Sequence, residues 1–306
     1  MLRAFFIALS ESKMLRAIAE RSPMGRKMSA RFVAGTTIES ALNATAAANA
    51  AGMSITIDNL GENVTNTEEA QHSSQLYHDL LDAIAARKLN ANVSLKLTHM
   101  GLDVDEALAR RIVSDLIAHA VRLDSFVRVD MEGSPYTQKT LDFVREMHRQ
   151  PGNKGRVGAV IQSYLKRSED DVRSLCAEGI RVRLCKGAYK EPASIAFKDK
   201  KDVDANYVNL TRILLKSGIY HGIATHDPKM VDATIKFATA EKIPSDAFEF
   251  QMLHGIKRDL QEQLVRDGWR VRIYLPFGTE WYPYFMRRLA ERPANVLFIL
   301  KNIFRR

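Results

Sequence analysis

The 306 residues carry 45 Lys and Arg against 36 Asp and Glu, a formal net charge of +9, with 46% hydrophobic and 26% charged residues. Those fractions and that length suit one globular α/β barrel of roughly 250 residues with an added arm; no apolar stretch approaches the ~20 residues of a membrane-spanning helix. Cys176 and Cys185 are too few for a disulfide framework and point to a reducing, cytoplasmic compartment, while the scattered basic residues accompany no nucleic-acid motif and exclude that partner.

Residues 1–9 resemble a short signal segment, but Glu11 and the basic, amphipathic continuation through Arg31 argue against cleavage. Residues 1–50 therefore read as a helical arm, whose contact with a membrane would be peripheral, at its inner face. From Gly52 onward, short β-branched runs alternate with longer segments of helical spacing. The runs fall at residues 53–58 (MSITID), 93–98 (VSLKLT), 126–131 (FVRVDM), 158–164 (GAVIQSY), 180–185 (IRVRLC), 222–227 (GIATHD), 248–254 (FEFQMLH) and 271–275 (VRIYL). Helices are expected to open at Thr67, with Glu68 and Glu69 in the first turn, and at Ser168, followed by Glu169, Asp170 and Asp171, acids that a helix N-terminus favours. Eight strand–helix repeats predict a closed (β/α)₈, TIM-type barrel over 51–306. The rival, an open doubly wound sheet, usually carries a Gly-rich fingerprint after its first strand, and Asn59-Leu60-Gly61-Glu62 is not one.

The strands are not uniformly apolar. Lys96, Arg128, Asp130, Gln162, Arg181, Arg183, His226, Gln251 and Arg272 interrupt them, and the alternation in 127–130 and 181–183 points charges into the barrel. Unpaired buried charge is costly, so these groups must pair with one another or face a charged ligand. Barrel sites lie at the C-terminal strand ends, which selects Lys96, Asp130, Gln162, Arg183, Thr225, His226, His254 and Tyr274.

Three segments carry most of the chemistry. After the eighth strand, Tyr274-Leu275-Pro276-Phe277-Gly278 leads to an aromatic cluster around Trp281, Tyr282 and Tyr284, then Arg287-Arg288. An Arg-Arg pair on a helix is most often a solvated face, yet two guanidiniums beside a barrel mouth can converge on one small anion. At the fifth strand's end, Gly187 and Ala188 let backbone approach a ligand, with Arg183 and Lys186 supplying positive charge. The His226-Asp227 pair can ligate metal, orient a base or be a satisfied buried pair.

Together these segments resemble the proline dehydrogenase family, in order and over nearly the whole chain. The matching pieces are residues 31–35 (RFVAG), 94–97 (SLKL), Asp130-Met131-Glu132, 183–189, 224–227 (ATHD), Phe248 to Gly255 and Tyr274 to Glu291, the Tyr-x-x-Arg-Arg-x-x-Glu pattern being the most specific. The resemblance implies a barrel that holds FAD non-covalently, oxidises L-proline and passes the electrons to a quinone. It implies that Lys96, Arg287 and Arg288 bind the proline carboxylate, that Arg183 lies near flavin N5, that Asp130 is catalytic with it, and that Leu253, Tyr274 and Tyr284 line the proline ring. Flavin contacts carried over are Met131, Gln162, Lys186, Gly187, Ala188, Thr225 and His226. Glu62, at the exit of the first strand, is expected to pair with Arg287 as a gate over substrate. A metal-dependent hydrolase using His99, His226, Asp227 and His254 fits the same barrel, but a cationic mouth repels a metal. No metal is expected.

Overall fold

The computed structural model describes residues 29–61 and 63–291, together with Ala19, Ser22 and Gly25. Eight parallel strands close into a barrel in sequence order, β1 (Ser54–Asn59), β2 (Ala91–Leu95), β3 (Val127–Val129), β4 (Val157–Gln162), β5 (Arg181–Cys185), β6 (His221–Ala224), β7 (Phe248–Leu253) and β8 (Val271–Phe277). Closure comes from β1 pairing with β8, in register from Ser54↔Arg272 to Asn59↔Phe277. Helix α1 (Ile38–Ala50) precedes the barrel and packs on β1 and β8. Each strand is followed by a helix: α2 (Thr67–Ala86), α3 (Glu106–Arg122), α4 (Ser134–Arg149), α5 (Ser168–Ala177), α6 (Lys200–Lys216), α7 (Pro228–Ala240), α8 (Arg258–Arg266) and α9 (Trp281–Glu291).

The helix starts follow the expected chemistry. The Asn66 side chain accepts from the Glu69 N–H at 2.9 Å, and α2 begins at Thr67. Acids Glu169, Asp170 and Asp171 occupy the first turn of α5.

Strand alternation decides what is packed and what is left for function. One set of side chains, including Ile55, Ile57, Val93, Leu95, Val127, Val129, Val182, Leu184, Phe248 and Phe250, is buried in the core shared with the helices. The alternate set fills the barrel with polar groups. Its lower layer holds Thr56, Asn92, Arg128, Arg181, Glu249 and Arg272; Arg272 donates to Glu249 Oε1 at 2.6 Å and to Asn92 Oδ1 at 2.7 Å. Gly158 is small because a Cβ there would come within 2.6 Å of the Arg128 guanidinium. The upper layer holds Asp58, Ser94, Asp130, Arg183, Gln251 and Tyr274, and it opens onto the C-terminal mouth.

Strand ends differ from expectation where the chain leaves the ladder to satisfy a side chain. The second strand was expected over 93–98 but runs Ala91–Leu95, followed by a 3₁₀ turn at Thr98–Met100. The turn brings the Thr98 hydroxyl to Glu132 Oε2 at 2.6 Å and the His99 ring to Ser73 Oγ at 3.0 Å. The sixth strand stops at Ala224, because Asp227 turns to cap α7 by accepting from Lys229 N–H at 3.1 Å. Among the described residues no helix is long and apolar enough to cross a membrane.

Candidate active site

A cavity of about 520 Å³ occupies the C-terminal mouth. It gathers Lys96, Asp130, Met131, Gln162, Arg183, Lys186, Gly187, Ala188, Thr225, His226, Leu253, Tyr274 and Arg288 from seven strand ends and α9. Val160, Ala224 and Met252 complete an apolar wall.

Asp130 is the hub. Its Oδ1 accepts from Arg183 Nη1 at 2.7 Å and from Ser94 Oγ at 2.7 Å, while its Oδ2 accepts from the Tyr274 hydroxyl at 2.9 Å. Arg183 Nε donates to Gln251 Oε1 at 2.6 Å, and its guanidinium lies 5.0 Å from the Tyr274 ring centroid. Burial, with the Asp130 charge added, pushes the Tyr274 phenol well above its ordinary range, so it remains a donor. Arg183 Nη2 is buried and has no partner among the described residues. An orphaned cationic N–H in a cavity wall asks for a ligand acceptor.

Lys96 stands 3.7 Å from Asp58 Oδ2, on a carboxylate that is 2% exposed. Tyr77 of α2 braces the strands beneath, donating to Ser94 O at 2.7 Å and accepting from Asn59 N–H at 3.2 Å. On the opposite rim Lys186 is held between Asp204 at 2.5 Å and Asp227 at 2.8 Å. Burial alone would raise both acids, but hydrogen bonds from Lys186 outweigh it and hold them below the usual carboxylate range. The charge expected to meet a ligand is thus largely answered within the protein.

Gly187 has φ +112°, and a Cβ there would lie 2.2 Å from the Tyr164 ring. The turn therefore requires glycine for its own packing as well as for any ligand. Gln162 ties two loops together, its amide donating to Met131 O at 3.3 Å and Glu132 O at 3.1 Å. His226 Nε2 accepts from Leu253 N–H at 2.8 Å, which puts the ring proton on Nδ1. Burial pushes the Cys185 thiol up to about 12, so it is no nucleophile.

Three expected residues, Tyr284, Arg287 and His254, lie off the cavity wall. Tyr284 packs in a second apolar cluster with Phe32, Val33, Leu60, Trp281, Tyr282, Phe285 and Met286, and it touches Arg288 of the cavity wall, whose guanidinium sits 5.1 Å from its ring centroid. Arg287 is half-buried beside it. Glu62 lies outside the described residues. His254 does not line the cavity either. The four groups of the hydrolase reading do not come together: His99 bonds Ser73, Asp227 takes Lys186, and among the described residues no three His, Cys, Asp or Glu side chains are placed to hold a metal.

The sequence model described as proline dehydrogenase matches residues 41–301. The chain belongs to the proline dehydrogenase family. Proline dehydrogenase 1 of Bacillus subtilis strain 168 is 40% identical over 307 residues, covering all of both chains. Proline dehydrogenase of Deinococcus radiodurans is 42% identical over 282 residues, covering 90% of this chain and 89% of the relative. Among solved structures, the crystal structure of proline utilization A (PutA) from Bdellovibrio bacteriovorus inactivated by N-propargylglycine is similar with a TM-score of 0.83 and 28% identity. The match covers 92% of this chain and 34% of that one, so the chain spans about a third of that protein.

Within this proline dehydrogenase framework, the sequence leaves several site groups unmarked. Asp58 and Glu249 are the acids that answer Lys96 and Arg272, and Asp204 shares Lys186. The signal for Asp58 is its inward parity with Thr56, the same alternation that marks Asp130. Asp204 comes from α6, and nothing local connects it to the mouth.

Proposed function

We propose that the enzyme binds FAD non-covalently in the mouth cavity, oxidises L-proline to 1-pyrroline-5-carboxylate and passes the electrons to a quinone. The observation that carries this reading is the juxtaposition of Lys96, Arg183 and Arg288 with the Asp130–Tyr274 pair around one cavity with an apolar wall. A zwitterionic amino acid with an aliphatic ring needs that combination: cations for its carboxylate and an apolar surface for its ring.

The cavity suits a flavin on the chain's own chemistry, since Arg183 Nη2 is a buried donor without a hydrogen-bond partner among the described residues. When bound, FAD supplies the two-electron acceptor for a hydride leaving the ring carbon next to nitrogen. Met131, Gln162, Gly187, Ala188, Thr225 and His226 would hold it, with Lys186 acting through its paired acids. Arg183, fixed by Asp130 and Gln251, keeps positive charge beside that acceptor. Lys96, Arg287 and Arg288 would take the carboxylate, and Leu253, Tyr274 and Tyr284 would limit the ring's space. The cationic surroundings favour the neutral amine form of the substrate. A Glu62–Arg287 pair would close the site against water. The arm of residues 1–50, whose helix α1 packs on β1 and β8 of the barrel of 51–306, would make the peripheral membrane contact through its basic, amphipathic stretch, by which a cytoplasmic enzyme reaches its quinone.

Steady-state oxidation of L-proline by the purified protein, with a soluble quinone and with NAD⁺ as alternative acceptors, tests this reading. Turnover with the quinone alone is expected; turnover with NAD⁺ alone contradicts it.

A further inference from the structure

The barrel has a second polar cavity at its opposite, N-terminal end. It measures about 180 Å³ and is lined by Thr56, Asn92, Arg128, Arg181, Glu249 and Arg272, with Arg156 and Asp124 at the rim. The charges there do not balance. Arg156 pairs with Asp124, and Arg272 pairs with Glu249 at 2.6 Å. Arg128 and Arg181 pair with no carboxylate among the described residues.

Arg128 is 3% exposed. Its Nη1 donates to two backbone carbonyls, Ala159 O at 2.9 Å and Arg181 O at 2.7 Å, while its Nε is buried without a partner among the described residues. The Phe126 ring centroid is 4.7 Å from the Arg128 guanidinium carbon and 4.5 Å from that of Arg181. Stacking on an aromatic face and carbonyl dipoles lessen the cost of burying Arg128 but bring no negative charge. Burial first, then the neighbouring Arg183 and Arg181, push the Arg128 guanidinium well below its ordinary range. A cation so placed is relieved by an anion from solution. Guanidinium forks match tetrahedral oxyanions, and the cavity is smaller than the roughly 300 Å³ at which pockets begin to take drug-sized ligands.

We propose that this N-terminal cavity is a binding site for one phosphate-type oxyanion, held by Arg128 and Arg181. Inorganic phosphate and the phosphate group of a small monoester share this chemistry. The cavity lies below the layer of Arg183, Gln251 and Asp130, so occupying it does not require entry through the mouth.

Equilibrium dialysis of the purified, flavin-loaded protein against radiolabelled inorganic phosphate, at constant ionic strength, tests the site. One saturable site per chain is expected, and Arg181→Gln should weaken it about tenfold, or about 1.4 kcal/mol. Arg156→Gln, on the exposed rim, should weaken it less. Lys186→Gln at the opposite mouth should leave it unchanged, which separates this site from the cavity of the proposed function. Competition by glycerol 3-phosphate at similar concentration would assign the occupant to the monoester class; failure to compete would assign it to the free ion. Should Arg181→Gln not fold, Arg156→Gln and the Lys186→Gln control still decide the location. Absence of saturable binding, binding unaffected by both arginine substitutions, or binding abolished by Lys186→Gln would overturn the proposal.

Discussion

Replacing Asp130 by Asn should destabilise the protein by about 2 kcal/mol, and replacing it by Ala by about 3 kcal/mol. The two substitutions separate geometry from charge. In Asp130→Asn the amide oxygen can still accept from Arg183 Nη1 and Ser94 Oγ, which now meet Oδ1 at 2.7 Å each. The new NH₂ faces the Tyr274 hydroxyl, which turns from donor to acceptor. All three contacts survive, but Arg183, 7% exposed, loses its counter-charge. A hydrogen bond to a charged partner contributes about 1.5–3 kcal/mol against about 0.5–1.5 for a neutral one. That is a loss of about 1 kcal/mol for each of the three bonds to Asp130, which partial exposure to the cavity reduces to about 2 in all. Alanine removes every acceptor as well. The full cost of breaking a buried pair, about 3–5 kcal/mol, is discounted to its lower end because the carboxylate is 13% exposed to the cavity. Urea unfolding of the three proteins reads these values, with the midpoint falling by about 0.7 M for Asn and 1 M for Ala if the slope is about 3 kcal/mol/M. Two variants both within about 0.5 kcal/mol of the unaltered protein would refute the view that this pair anchors the site.

Arg288→Met should raise the KM for L-proline at least about tenfold with the flavin still bound, and Arg287→Met should do the same if that side chain joins the clamp when substrate arrives; steady-state kinetics over a proline series reads both. Gly187→Ala, forced to φ +112° with its methyl against Tyr164, should cost about 3 kcal/mol and lower flavin content, measured by thermal unfolding and the absorbance ratio of the purified protein. Burial holds His99 near 4, His221 near 3 and His254 near 4, below the ~6.5 of an unfolded chain. The unfolded state then binds more protons, so stability falls as pH drops from about 6.5 towards 4, by up to about 1.4 kcal/mol per unit for each histidine. Urea midpoints at pH 7.5, 6 and 5 should show the decline, and His221→Gln should make it shallower.

The fold was legible because the barrel writes itself as a repeat. Eight β-branched runs with helical spacers give strand number and order, and the polar interruptions at Arg128, Asp130 and Arg183 give the inward face. Strand ends were less legible. They depend on side chains such as Glu132, which draws the chain out of the ladder from 34 residues away, and Asp227, which turns to cap the next helix. The site residues at strand ends, Lys96, Asp130, Gln162, Arg183, Thr225 and Tyr274, follow from parity plus position, and the structure brings them to one cavity. What parity does not convey is pairing. Lys186 reads as an open cation until Asp204 arrives from a helix 18 residues later. Tyr284 reads as a wall residue until the helix rotation places it in the aromatic cluster with Phe32. Both outcomes are set by packing between elements, which no local pattern encodes.

On the function proposed above, the mouth cavity holds a flavin and a proline together. The most direct measurement of this is anaerobic addition of L-proline to the purified protein while the visible spectrum is recorded. A yellow protein is expected, whose oxidised-flavin bands bleach on mixing, and bleach much more slowly in Arg288→Met. A folded, colourless protein that FAD does not reconstitute, or a bound flavin that proline leaves oxidised, would contradict it.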